Sequence, residues 1–142
     1  MSAGPLEGLI VVEAGQLIAG PFCGQLLGDM GATIIKIEPP KAGDPMRAWG
    51  RGAPVWWEVI ARNKKSVSID LRKPEGQDLA RKLIDGADVF IENFRPGTLE
   101  GWGLGPKTLH ETNPGLVVVR MSGYGQTGPY SDRAGFGGTG EA

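Results

Sequence analysis

Seven basic side chains crowd the middle third of a 142-residue chain: Arg47, Arg51, Arg62, Lys64, Lys65, Arg72 and Lys73. Such a run is either a solvated face or a site for a multiply phosphorylated ligand, which guanidinium and ammonium groups grip well. The loop at residues 14–20 (AGQLIAG) joins a short β-branched strand to a helix, the place where open α/β sheets take up ligands. It is not GxGxxG, so the dinucleotide fingerprint is absent. Residues 122–134 (SGYGQTGPYSDRA) form a second turn-rich loop, directly after another apolar strand. Asp44 follows Gly43 and reads as a residue that orders a turn. His110 lies near a helix end, where a surface cation suits the dipole. Cys23 lies on or beside an apolar helix face and reads as a small core residue.

These groups need a scaffold, and hydrophobic periodicity supplies one. Val11 and Val12, then Ile34, Ile35 and Ile37, are apolar runs of strand length. Between them Gly20-Pro21 opens a helix with Pro21 at its first position, Phe22, Leu26, Leu27 and Met30 repeat at helical spacing as its apolar face, and Gly31 stops it. This is a βαβ unit with parallel strands. Residues 39–44 (PPKAGD) turn the chain, and residues 55–60 form a short helix with partly buried tryptophans. Asn63-Lys64-Lys65 reads as a polar turn before a one-sided strand over 66–71, with Val67, Ile69 and Leu71 inward. A helix from Lys73-Pro74-Glu75-Gly76 follows, with Leu79, Leu83 and Ile84 buried. Then come a strand in 87–94 (ADVFIENF), helical stretches over 98–102 and 106–112, and a strand over 116–121 (LVVVRM). The order β-α-β, a mixed stretch, then β-α-β-α-β predicts an α/β fold with a mostly parallel sheet and helices on its faces. Residues 135–142 (GFGGTGEA) read as the launch of another helix, with Thr139 as N-cap and Glu141 in the first turn. The expectation is therefore the N-terminal part of a longer polypeptide.

Composition bounds the rest. Hydrophobic residues make up 40% and charged residues 22%, with a net charge of −1, so neither nucleic acid nor a membrane surface is implied as a partner. One cysteine excludes an internal disulfide and fits a reducing compartment. No apolar run has transmembrane length and no signal-peptide pattern opens the chain, so a cytoplasmic location is expected. No residue is assigned to a metal. The 24 glycines and 11 prolines fall at turns and imply sharp connections rather than disorder.

Taken in order, the motifs resemble the N-terminal portion of class III coenzyme A transferases, the CaiB/BaiF-type family. The matching segments are Pro5-Leu6-Glu7-Gly8, Ala19-Gly20-Pro21, residues 27–39 (LGDMGATIIKIEP), Gly43-Asp44, residues 63–66 (NKKS) with 69–71 (IDL), and residues 73–76 (KPEG). They continue with residues 87–89 (ADV), 92–97 (ENFRPG) and 122–129 (SGYGQTGP). Each motif is short, but together they cover essentially the whole chain at consistent spacing.

The resemblance implies a Rossmann-like large domain, of which residues 1–142 are the N-terminal part, plus a small domain and an interlocked homodimer. It implies transfer of coenzyme A from an acyl thioester to a small carboxylic acid. An aspartate carboxylate attacks the thioester, and a mixed anhydride and an aspartyl-CoA thioester follow as covalent intermediates. No tightly bound cofactor is implied; coenzyme A or acyl-CoA is the substrate. The family's aspartate lies downstream of residue 142, so no nucleophile is assigned here, and Glu141, Asp132 and Asp44 are not taken as one. The carried-over coenzyme A contacts are Ile18 and Ala19; Ile69, Asp70, Leu71 and Arg72; Asn93, Phe94 and Arg95; and Ser122, Gly123, Tyr124 and Gly125. Arg72 is the preferred phosphate partner, because a cation near a helix start is otherwise mildly unfavourable. Gln16 takes a supporting polar role, and Trp102 could wall the cleft. The chain departs from some members in having Pro39 after Glu38, and Glu100-Gly101-Trp102 where an arginine is found. A rival of the same fold, an α-methylacyl-CoA racemase, carries a histidine base after the GP loop. Phe136 occupies that region here and cannot transfer a proton. A non-catalytic CoA- or nucleotide-binding fragment is the third reading. The GQTGPY and RAGFG stretches look more like members that handle dicarboxylic acids, such as succinyl-CoA users, than like formyl-CoA users.

Overall fold

A computed structural model of the chain describes residues 4–50 and 52–137. Five parallel strands form one sheet in the order β3-β2-β1-β4-β5: β1 (Ile10–Glu13), β2 (Thr33–Glu38), β3 (Lys64–Ser68), β4 (Val89–Glu92) and β5 (Val117–Arg120). The expected α/β class is therefore observed. The helices are α1 (Ala19–Asp29), α2 (Val55–Ile60), α3 (Pro74–Asp85), α4 (Thr98–Gly101) and α5 (Pro106–Thr112), with a 3-10 turn at Pro45–Ala48. Central strands β1 and β4 are covered on both faces, which is why they read as continuous apolar runs. On one face Val12, Ile37 and Phe90 pack with Ala80, Ile84, Leu99 and Leu109 of α3, α4 and α5. On the other, Val11, Ile34, Val89 and Ile91 meet Cys23 and Leu27 of α1. Half-burial raises the Cys23 thiol pKa, and Glu13 nearby raises it further.

The strand order has a consequence for ligands. From β1 the chain builds outward through β2 to β3, then returns to the other side of β1 for β4 and β5. The loops leaving β1 and β4 diverge, and a crevice opens between them at the carboxyl edge.

Four expectations need correction. Lys64 and Lys65 belong to β3 rather than to a turn, and β3 stops at Ser68, so Ile69 and Leu71 are buried from the following loop. The predicted apolar face of α1 is largely the wrong one: Phe22, Leu26 and Met30 are exposed, Phe22 by 47%, and Leu27 alone of that set packs inward. Gly20, Pro21, Gly24 and Gln25 are buried instead. The reason is steric. A Cβ on Gly24 would collide with the Glu13 carboxylate, so only a glycine face lets α1 lie this close to β1. Pro21 is the third helical residue, where its missing N–H still has no intrahelical partner. Along α3, Leu79 points to solvent while Gly76, Ala80 and Ile84 face the sheet. Gly31 behaves as expected: at φ 105° it closes α1, its N–H bonding Gly28 O while that of Ala32 reaches back to Leu27 O.

Gly76 makes the closest helix–loop approach, since a Cβ there would meet the backbone oxygen of Asp70. Gly76→Ala is expected to lower stability by about 1–3 kcal/mol, read as a reduced denaturant midpoint with an unchanged slope. An unchanged midpoint would show that α3 can shift away from the Asp70 loop freely.

Candidate functional site

Glu13, Glu38 and Glu92 end β1, β2 and β4, and all are buried. Because the strands are parallel, all three residues come to the carboxyl edge of the sheet, Glu13 and Glu38 on the α1 face and Glu92 on the other. A buried carboxylate requires a cation and hydrogen bonds. Glu13 receives Lys36 Nζ at 2.8 Å and Lys64 Nζ at 2.7 Å. Glu38 receives both arms of Arg47 at 2.7 and 2.8 Å, the Ser66 hydroxyl at 2.6 Å and the Asp44 N–H at 2.9 Å. Glu92 receives Arg120 Nε and the Phe94 N–H, each at 2.7 Å. Asp44, also buried, lies 2.9 Å from Lys36 Nζ through Oδ2, a charge contact without hydrogen-bond alignment. The acids Glu13, Glu38, Asp44 and Glu92 thus balance Lys36, Lys64, Arg47 and Arg120.

Environment separates these groups. Burial pushes the Glu38 carboxyl upward, but Arg47, Ser66 and the Asp44 N–H outweigh it and hold the pKa at about 2. For Glu92 burial wins over Arg120 and the pKa is raised. Burial lowers that of Lys64, against the pull of Glu13.

The same side chains hold the backbone of the loop after β1. Lys36 donates to Gly15 O at 2.8 Å. Asn93 accepts the Gln16 N–H at 2.7 Å and donates back to Gln16 O at 2.8 Å. Asp44 Oδ1 accepts the Leu17 N–H at 3.1 Å, and Lys64 donates to Pro21 O at 2.6 Å. Gly15 and Gly20 touch at this point: a Cβ on Gly15 would lie 3.0 Å from Asn93 Oδ1. Asp44 also caps the 3-10 turn through the Met46 N–H, so it does order a turn.

Beside this loop lies a cleft of about 380 Å³. Ile37, Ile69 and Leu71 form its apolar floor. Phe94 and Trp102 form an edge-to-face wall, their ring centroids 5.2 Å apart. Gln16, Asp70 and Arg72 are its polar members, and Pro39 and Pro40 also line it. Arg72 is 75% exposed, and Nε and Nη2 bind Asp70 at 2.8 and 3.0 Å, which sets the direction of its fork.

Of the residues singled out from the sequence, the cleft brings together Gln16, Ile69, Asp70, Leu71, Arg72 and Phe94, and adds Trp102. Ile18 and Ala19 stand outside its lining, at the start of α1. Asn93 turns its amide onto the Gln16 backbone rather than into the cleft. Arg95 is exposed on the loop after β4. Ser122, Gly123, Tyr124 and Gly125 follow β5 away from the cleft lining, with Gly123 packed on Gly135. Among the described residues the basic run does not assemble into one anion site: Arg47, Arg62, Lys64 and Arg72 each pair with a carboxylate. His110 is exposed and contacts Leu116 O at 2.9 Å, and Glu100, in the segment where an arginine was noted elsewhere, pairs with Arg120. Arg51, Thr139 and Glu141 lie outside the described residues. Sequence reasoning missed Glu13, Lys36 and Lys64. The available signal was a lysine and a glutamate, Lys36 and Glu38, inside TIIKIE, a strand whose isoleucines mark it as buried and where a charge therefore needs a partner.

A profile of CoA-transferase family III matches residues 6–142. The chain belongs to this family. It is 61% identical over 142 residues to the succinyl-CoA–D-citramalate CoA-transferase of Chloroflexus aurantiacus, covering 97% of this chain and 35% of that protein. It is 40% identical to the human succinyl-CoA:glutarate CoA-transferase, covering 93% of this chain and 31% of that one. Among solved structures, a CaiB/BaiF family protein from Brucella suis superposes with a TM-score of 0.90 at 41% identity, over 95% of this chain and 38% of the other. Rv3272 from Mycobacterium tuberculosis gives 0.91 at 40% identity, over 96% and 38%. The chain thus spans about a third of the length of the family III relatives it matches. No helix among the described residues is long and apolar enough to cross a membrane.

The Glu38 environment fixes a pH dependence. Its folded pKa of about 2 lies below the ordinary 4.5, so its stabilising contribution is complete above 4.5 and is lost as pH falls towards 2. Glu92, with its pKa raised, acts with the opposite sign and is relieved by acid. Denaturant unfolding at about pH 6 and about pH 3 should show a loss on acidification that is smaller in Glu38→Gln. An equal loss in both proteins would remove Glu38 from the acid response.

Proposed function

We propose that residues 1–142 are the N-terminal part of the large domain of an acyl-CoA:carboxylate CoA-transferase, and that the cleft beside residues 14–18 is one wall of its coenzyme A site. The observation that carries this reading is convergence. Gln16, Ile69, Asp70, Leu71, Arg72 and Phe94, assigned from motif resemblance, share one cleft at the switch point of a parallel sheet. In this reading Arg72 takes phosphate, while Ile37, Ile69 and Leu71 receive the apolar part of the pantetheine arm. Gln16, Ile18 and Ala19 face the thioester end. Asn93 sets the β1 loop, and Arg95 with Ser122, Gly123, Tyr124 and Gly125 completes the site from the neighbouring strand ends.

The attacking group is an aspartate outside these 142 residues. Its carboxylate oxygen bonds to the thioester carbon and the CoA thiolate leaves, giving a mixed anhydride. The thiolate then attacks the aspartyl carbonyl of that anhydride, releasing the first carboxylate and forming an aspartyl-CoA thioester. The acceptor carboxylate repeats the sequence in reverse and departs as the new thioester. Relatives named for D-citramalate, L-malate and glutarate support a dicarboxylate acceptor and a succinyl-CoA donor. An interlocked homodimer in the cytoplasm, with no nucleic-acid or membrane partner, completes the proposal. Phe136 stands in the region where racemases of this fold carry a histidine base and has no titratable proton, which argues against racemization.

In the full-length polypeptide, Arg72→Ala is expected to raise KM for succinyl-CoA about tenfold with little change in kcat, as for a lost charge-assisted phosphate contact. Residues 1–142 alone are expected to give no turnover. An unchanged KM would take Arg72 out of the site, and turnover by residues 1–142 would place the nucleophile within them.

A further inference from the structure

Gln16 projects into the cleft from a loop that has little intrinsic reason to hold its shape. Leu17 adopts φ 62°, a left-handed conformation that L side chains other than Asn and Asp seldom take. The loop is nonetheless clamped on three consecutive residues by side chains from three different segments: Lys36 of β2 on Gly15, Asn93 after β4 on Gln16, and Asp44 of the 39–44 turn on Leu17. Asp44 is the hub. One carboxylate oxygen takes the Leu17 and Met46 N–H groups, the other faces Lys36, and its own N–H bonds Glu38. It is 1% exposed and does not line the cleft, so it reaches the cleft only through the backbone it holds, the 14–18 loop and the turn that carries Pro39 and Pro40.

We propose that Asp44 is a positioning residue for acyl transfer: with Lys36 behind it, it holds Leu17 left-handed and so fixes where Gln16 meets the thioester end of the substrate. The inference rests on the transferase reading above. A displacement of about 1 Å at a reacting centre can reduce the rate about a hundredfold while leaving remote binding contacts intact. Removing the clamp should therefore act on kcat and spare the Arg72 end.

The test uses the full-length polypeptide, with Asp44→Ala and the more conservative Asp44→Asn, which keeps an acceptor for Leu17 but loses the charge facing Lys36. Amide exchange is followed at Leu17 and, as an internal reference, at Ala14, whose N–H bonds Ile91 O inside the sheet. In Asp44→Ala, Leu17 should exchange about tenfold faster while Ala14 is unchanged. The value of kcat should fall about a hundredfold with KM for succinyl-CoA within about threefold, and Asp44→Asn should lie between the two proteins. Equal acceleration at Leu17 and Ala14, or proportionate changes in kcat and KM, would reduce Asp44 to a general stabiliser and overturn the proposal. If the parent polypeptide catalyses no transfer, the functional reading fails, the role in transfer fails with it, and the exchange data still decide whether Asp44 clamps the loop.

Discussion

The ammonium group of Lys36 lies in the interior at 1% exposure, and the geometry of the cleft depends on what surrounds it. Its three contacts are the Glu13 carboxylate, the Gly15 carbonyl and the Asp44 carboxylate. They join β1, β2 and the turn after β2 at one point. Replacing a buried ion cluster by apolar residues of similar volume is often neutral or stabilising, whereas deleting one member costs about 3–5 kcal/mol. Stability alone therefore does not account for the cluster. Apolar residues could fill the space, but they could not hold Gly15 O, the Leu17 N–H and Pro21 O. The cluster is explained by the loop it fixes.

The same constraint reaches into α1. Two lysines converge on Glu13, and the helix above must leave room for its carboxylate, so the face that meets the sheet carries Gly20 and Gly24. Ile18, Phe22 and Leu26 are consequently turned to the outside. Burying small residues brings the start of α1 close to the end of β4, where Asn93 spans the crevice. A bulkier helix face would have separated the loops that shape the cleft.

Much of this was readable in the sequence. β1, β2, β4 and β5 are β-branched or apolar runs bounded by turn residues, and the alternation with helices gave the parallel sheet. The edge strand β3 was harder. Lys64 and Lys65 look like turn residues, and only the pairing of β3 with β2 shows that Lys64 points inward to Glu13. The α1 face was misread because amphipathicity assumes that the larger apolar residue is the buried one, and steric closeness reversed that here. Motif resemblance singled out Gln16, Ile69, Asp70, Leu71, Arg72 and Phe94, which line the cleft, together with residues of α1 and of the β5 loop that do not. The ion cluster was not, because it joins residues 13, 36, 44 and 64, which become neighbours only once strand order is known. The pairing of the basic run was hidden for the same reason: sequence shows where cations are, not which carboxylates they face.

The most direct test of the account is a crystal structure of the full-length polypeptide with succinyl-CoA or coenzyme A bound. The thioester end should lie against residues 14–18 in the cleft walled by Phe94 and Trp102, with Leu17 still left-handed and still bonded to Asp44. Coenzyme A bound elsewhere, or a loop that abandons Asp44 and Lys36 when the ligand arrives, would contradict it.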